Sequence, residues 1–422
     1  MAIISGETVT SGTLYVINQN SDTIERTLTI SNAGNYSLNF ITDGDKTIVF
    51  RRSDGKAEAF GNVTPAPQQM SGVIYGCGSN TLGQLGLNHV ENVSTITMIG
   101  NESGWSSASC GYTHTIALKT DGTLWSCGSG SGGKLGHGNT AYLSTLTKIG
   151  SDSDWSKVLC GYNSSLALKT DNTLWGWGLN SSGELGLNDI AERRTPTKIG
   201  SASDWKELSF FENFSMAIKN DGSLWCCGLN TNGQLGRNNR TNVSVFVQVG
   251  SDTNWESVSV GQHHTLAIKT NGTLWACGLN SSGQLGLGNI INKSTLTQVG
   301  LGTDWSVVRC GNNFSFAQKD DGTWLSCGNG VYGVLLSGST DNKSEFTQIG
   351  NLNTNWAVIK TGADLTFVIK ENGTLWGCGR NNVGGPLGLG DTLGRQTLTQ
   401  IGTDTDWNNV YTGIYYSSIF IK

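Results

Sequence analysis

Tryptophan recurs along this chain at positions 105, 155, 205, 255, 305, 356 and 407, a spacing of 50 residues four times and then of 51 twice. A fixed period of that size restricts the fold to a propeller or a solenoid before any other feature is weighed. The copy from Ser251 to Gly300, SDTNWESVSVGQHHTLAIKTNGTLWACGLNSSGQLGLGNIINKSTLTQVG, shows the unit most plainly. Its runs Ser257 to Val260, Thr265 to Lys269 and Leu274 to Cys277 are short, β-branched or aromatic, and bounded by Gly or Asn, as strands are. Asn271-Gly272 lies between the second and third runs and predicts a two-residue hairpin turn with positive φ at both centres. Asp121-Gly122, Asp171-Asn172, Asp221-Gly222, Asp321-Gly322 and Asn372-Gly373 repeat that signal. A fourth short strand, Thr297 to Val299, completes about one four-stranded blade per copy.

The ends of the repeat region decide between an open array and a ring. The chain enters the repeat at Ser71 to Gly78, which aligns with the third strand, and leaves it at Ser418 to Lys422, which aligns with the second. The two halves complement each other, and joining them removes the sheet edges an open array would expose. The expected fold class is all-β: a seven-bladed propeller closed by both termini of the repeat region, preceded by a small β-sandwich.

The pattern G-x-x-H-[ST]-x-A-[IL]-x-x-[DN]-G-T-L-W-x-x-G-x-N-x-x-G-Q-L-G, read from Gly261 to Gly286, resembles the repeat of the regulator-of-chromosome-condensation (RCC1-like) propeller family. The resemblance spans residues 71–422, more than four fifths of the chain. It implies a seven-bladed propeller closed by both termini. It does not imply one function, because this fold serves nucleotide exchange, enzyme inhibition and plain scaffolding. Exchange-factor members act partly through a β-wedge inserted in one blade, and copies of nearly constant length leave no room for one.

Composition narrows the alternatives. The net charge of −5 is spread along the chain without a basic run or stripe, so nucleic acid is not an expected partner. No stretch reaches the 18 or so apolar residues of a membrane helix, so membrane insertion is not expected. The start, Met1-Ala-Ile-Ile-Ser-Gly, lacks the basic and apolar regions of a signal peptide. Among the ten cysteines, Cys77, Cys127, Cys227, Cys277, Cys327 and Cys378 share one repeat position, where another copy carries Trp177. Cys110, Cys160 and Cys310 share a second. A site where Trp replaces Cys is an apolar packing site, so these predict buried free thiols and a reducing compartment.

Residues 1–62 stand outside the repeat. Leu14 to Ile17, Thr27 to Ile30, Tyr36 to Phe40 and Thr47 to Phe50 predict strands, with turns at Asn32 to Gly34, Asp43-Gly44 and Asp54-Gly55. The run Thr29 to Leu38, preceded by Gly6 to Val9, is similar to transthyretin-like or carboxypeptidase-regulatory-like modules of bacterial surface and phage structural proteins. Residues 63–70 hold two prolines and form a stiff linker to the propeller, 71–422.

Catalytic chemistry is not marked out. His263-His264 has no third ligand at useful spacing, and His264 is expected to hydrogen-bond within its blade, as His114 does. Gly128 to Lys134 lacks the order of a phosphate-binding loop and precedes no helix. Neither cofactor nor metal is expected, and the chain is read as non-enzymatic. A propeller enzyme acting on polysaccharide would need carboxylates clustered on one loop face. The candidate binding residues follow the repeat Gly, in the turn between the first two strands: Tyr112, Tyr162, Glu212, Gln262 with His263, Asn312, Asp364 and Tyr415. Such turns vary on a fixed frame, and Tyr and Asn suit a sugar or protein surface. The resemblance implies that this loop joins the partner-binding face of exchange factors, where Asp or His is frequent; His263 and Asp364 match that.

Two functional expectations follow. The first is a bacteriophage virion appendage, assembled in the host cytoplasm, as a tail fibre, tail tip or capsid decoration. Its N-terminal module would dock to other virion proteins or self-associate, and its propeller would meet a host-surface glycan or protein. The second is a soluble signalling or inhibitory propeller, acting on a small GTPase or an enzyme.

Overall fold

The computed structural model describes residues 72–350, 356–414 and 416–422 with their side chains, and the backbone of six strands nearer the N-terminus. The chain divides into two units, Met1–Ser71 and Gly72–Lys422. In the first, strands Thr23–Ile30, Gly12–Asn18, Lys46–Arg52 and Ala57–Asn62 pair in that order, and Ala2–Ser5 pairs with Ser37–Phe40. The linker 63–70 and the three turns expected between these strands lie outside the described residues.

Each repeat of the second unit folds into one antiparallel sheet of four strands, here a to d. The Ser251 copy gives a as Trp255–Val260, b as His264–Lys269, c as Leu274–Gly278 and d as Lys293–Gln298. Counting from Trp105, that copy is blade 4. Blade 7 joins Asn409–Thr412 and Ser417–Ile421 from the C-terminus to Ile74–Gly78 and Val93–Met98 from the N-terminus, in the order a-b-c-d. Seven blades result, closed as the half-repeats imply. The a strands of neighbouring blades touch one another and so surround a central channel.

Two local readings are corrected. Strand d starts at Lys293, four residues before the expected Thr297; its Lys-Ser-Thr-Leu-Thr-Gln composition on an outer edge hides it from an apolar pattern. The b–c connection is a three-residue loop rather than a two-residue turn. Gly272 N–H bonds Lys269 O at 2.8 Å, and Gly272 has positive φ while Asn271 does not. The preceding Asx residue has a different task. Asn271 Oδ1 accepts from Thr273 N and Oγ1, and Thr273 Oγ1 accepts from Trp275 Nε1 at 3.0 Å. The N-G-T-L-W string is therefore one hydrogen-bonded chain that ties the turn to strand c.

Apolar cores lie between blades. Leu166, Leu174, Leu185 and Ile199 of blade 2 pack on Trp205, Leu208, Phe210 and Ala217 of blade 3, and equivalent clusters bind blade 7 to blade 6 and to blade 1. All ten cysteines are free and buried. Their interchange with Trp has a polar cause as well as an apolar one. Cys127, Cys227 and Cys277 each donate Sγ–H to the carbonyl of residue 84, 184 or 234 at 3.4 Å, and Trp177 Nε1 donates to Lys134 O at 2.9 Å in the same place.

Candidate functional site

The a–b turns and the long c–d loops share one face of the ring; the b–c turns and the linkers between blades occupy the other. On the first face the candidate turns do not stand apart as separate solvated loops. Tyr112 N–H bonds Tyr162 O at 3.3 Å, Tyr162 N–H bonds Glu212 O at 3.1 Å, Gln262 N–H bonds Asn312 O and Asn312 N–H bonds Ala363 O at 3.2 Å. Ile414 N–H reaches Gly111 O at 3.4 Å, which links blade 7 to blade 1. Backbone hydrogen bonds thus join five of the seven neighbouring pairs of turns into a collar at the channel mouth.

Gly precedes six of the seven turns, Phe211 standing in that place in blade 3, and its lack of a side chain lets neighbouring turns meet. A Cβ on Gly261 would lie 2.2 Å from Gly311 O and 2.3 Å from the His264 ring. His264 itself is buried, and its Nε2 meets Ser315 Oγ of the next blade at 2.9 Å, as His114 meets Ser165 at 3.1 Å. The expectation of a bond within its own blade is therefore corrected: this His spans blades. Burial pushes the His264 imidazole down to about 3, so it stays neutral. No group of three or more potential metal ligands occurs among the described residues.

The collar carries most of the predicted binding residues. Tyr112 and Tyr162 stack with ring centroids 4.3 Å apart, and burial with their mutual hydrogen bond pushes the Tyr162 phenol up to about 12. Gln262 Nε2 donates to Glu212 Oε1 at 2.8 Å across blades 3 and 4. Glu212 is buried and holds φ +47°, and its carboxylate accepts from the neighbouring blade's Gln262. Asn312 is also buried, and His263 lies half-buried beside His264, its basicity lowered by burial. Asp364 meets Arg380 at 3.6 Å, and burial raises its carboxyl. Tyr415 lies outside the described residues. The two carboxylates on the collar, Glu212 and Asp364, belong to blades 3 and 6 and engage separate partners.

Residues that the sequence did not single out complete this face. The Arg380 guanidinium lies 5.9 Å from the Tyr332 ring and 5.4 Å from the Tyr416 ring. Lys134 Nζ donates to Thr113 Oγ1 at 2.7 Å and Asn163 Oδ1 at 2.8 Å, stapling the turns of blades 1 and 2. It occupies the repeat Gln position, and so does Glu184; both are buried. Burial pushes the Glu184 carboxyl up to about 7. A charged residue at a position that is elsewhere Gln84, Gln234 and Gln284 was the available signal.

A family model for the regulator of chromosome condensation (RCC1) repeat matches residues 71–118, 121–168, 171–218, 221–268 and 271–318, and a second RCC1-repeat model matches 105–134, 155–184 and 255–284. A comparison with curated protein sequences finds no match. Among solved structures, Prp20p from Saccharomyces cerevisiae, described with its binding to Gsp1p and histones, is 20% identical with a TM-score of 0.74, covering 84% of this chain and 92% of its own. A structure of Kap60 bound to yeast RCC1 (Prp20) gives 20% identity and a TM-score of 0.73, over 84% of this chain and 91% of the other. Human WBSCR16 is 18% identical with a TM-score of 0.73, over 83% and 98%. With more than half of its residues matched by the repeat model and seven blades closed by both ends of the repeat region, the chain belongs to the RCC1 repeat family.

Proposed function

We propose that this chain is a non-enzymatic protein-recognition propeller whose partner docks on the face bearing the a–b turns, in a signalling or inhibitory role. The observation that carries the reading is the collar. It fixes a stacked Tyr112–Tyr162 pair and an Arg380 held by Asp364 between two tyrosines. Tyr and Arg anchors dominate protein interfaces, and side chains already fixed lose little freedom on binding. The described binding of Prp20p to Gsp1p and histones, and of yeast RCC1 to Kap60, gives protein partners as a precedent within the fold. A folded regulatory protein, such as a small GTPase, is the partner class this favours. Among the described residues no wedge projects from a blade, so exchange activity would depend on the collar alone. The comparisons give the virion reading no support.

The test is affinity capture with the full chain, its Tyr112→Ala/Tyr162→Ala/Arg380→Ala variant, and a Lys148→Ala/Lys198→Ala control on the opposite face. The reading predicts one stoichiometric protein retained by the parent and the control and lost by the collar variant. Retention by the collar variant, or loss only in the control, would contradict it.

A further inference from the structure

Blade 5 departs from the other blades at several positions, and the departures meet in one place. In blade 2 the ammonium of Lys169 is enclosed by two Trp rings and by Asp152 and Asp154. In blade 5 Leu325 replaces the second ring and Gly302 stands where Asp152 does. Lys319 therefore keeps only Trp305, at 5.5 Å, and Asp304, at 3.0 Å, among the described residues. Its side chain is 31% exposed, against 11% for Lys169. Beside this thinned enclosure lies a cleft of about 390 Å³ between blades 4 and 5. Leu287, Val299, Trp305 and Phe346 give it an apolar lining, the two rings tilted at 51° with centroids 5.4 Å apart.

Leu301 stands at the lip of this cleft, between Gly300 and Gly302, which both line it. At 94% exposure it is the most exposed large apolar residue among those described, so it does not fill the cleft beside it. The other linkers carry Asn101, Ser151, Ser201, Ser251, Asn351 and Thr403 in its place. A single exposed Leu is ordinary; one at an otherwise polar position, beside an open apolar cleft, has a use. The cleft also holds an unpaired charge. Glu345 lines it where every other strand d carries Thr or Val, and it makes no ion pair among the described residues. A Cβ on Gly288 would come within 2.9 Å of Glu345 Oε1, so that glycine leaves room for the carboxylate.

We propose that a second copy of this chain covers the cleft, in a two-fold dimer in which Leu301 of each copy enters the cleft of the other. A projection and a hollow side by side on one surface complement themselves under a two-fold axis, as an isologous interface requires. The charges agree with that symmetry. Each copy brings an unpaired Glu345 and a Lys319 with one carboxylate where Lys169 has two. The axis sets Glu345 of each copy against Lys319 of the other. An apolar centre with a charged edge is the build of a specific interface. The linker and the end of strand b wall the cleft on the face away from the collar, so the dimer leaves the a–b turns open to another protein.

Sedimentation velocity on the full chain across micromolar concentrations is the test. A reversible monomer–dimer equilibrium that stops at the dimer is expected. Leu301→Ser and Glu345→Thr put back the residues of the other repeats, so the ring keeps its fold. The first should weaken the dimer about tenfold or more, and the second by less, as an exposed charge pair does. Ile190→Ser, which removes an exposed apolar residue from blade 2, should leave the dimer unchanged. A chain that stays monomeric would overturn the proposal, and so would growth past the dimer, which marks head-to-tail docking. A dimer that Leu301→Ser does not weaken would also overturn it, because that dimer forms elsewhere on the chain.

Discussion

At the scale of single residues, Glu184 shows what a change of charge at a repeat position costs. Its carboxyl is buried, and burial lifts it from an ordinary 4.5 to about 7. A folded-state value above the unfolded one favours the protonated form. That contribution is complete below 4.5 and is lost as pH rises through 7, the loss amounting to about 3 kcal/mol at the alkaline end. Glu184→Gln should flatten the fall in stability between pH 5 and 8, raising the urea midpoint at pH 8 and changing it little at pH 5. An unchanged pH profile would show that the carboxyl finds solvent. Gly261 offers a steric counterpart. Gly261→Ala drives a methyl into the Gly311 carbonyl and the His264 ring and should cost about 2–3 kcal/mol. Blade 2 carries Ser164 where His264 stands, so Gly261→Ala with His264→Ser should cost less than the sum of the two. Additive losses in a denaturation cycle would place the strain at the carbonyl alone.

At the scale of the blade, a clasp repeats that periodicity alone does not announce. The Lys ending strand b lies between the Trp opening strand a and the Trp of strand c. Lys169 is 4.8 Å from the Trp155 ring and 4.7 Å from that of Trp175, with Asp152 at 2.7 Å and Asp154 at 3.0 Å. Lys219 and Lys269 repeat the cage. Blade 5 inverts Leu and Trp: Trp324 is buried, Leu325 takes the outer place, and Lys319 keeps one ring at 5.5 Å. Lys169→Met should therefore cost about 1–2 kcal/mol and Lys319→Met clearly less; equal losses by thermal unfolding would assign the effect to the carboxylates. Much of the blade was legible beforehand. The Trp period, the Asx-Gly turns and the G-x-L-G glycines each state a local geometry, and local geometry survives in sequence. What was not legible is what crosses between blades about 50 residues apart: His264 to Ser315, the Cys and Trp177 donors to a neighbouring carbonyl, and the collar itself. Strand d was mislocated because its outer edge is polar.

At the scale of the whole propeller, closure is the feature on which the rest depends. Ile419 pairs with Gly76 and Ser417 with Gly78, Gly72 N–H bonds Lys422 O at 2.7 Å, and apolar clusters grip both sides of the composite blade. Removing 409–422 should abolish the single cooperative transition and expose aggregating strand edges. Removing 1–71 should leave the midpoint of the propeller unchanged, because the closing contacts among the described residues come from 72–422. Scanning calorimetry separates the two outcomes, and a cooperative ring without 409–422 would refute the closure argument. A closed ring also makes the collar stiff, which is what the proposed recognition requires. The most direct measurement is hydrogen–deuterium exchange on the full chain with and without its captured protein partner. The account predicts new protection at the a–b turns around Tyr112, Tyr162 and Asp364. Protection confined to the b–c turns around Asp121, Asp171 and Asp221, on the opposite face, would contradict it.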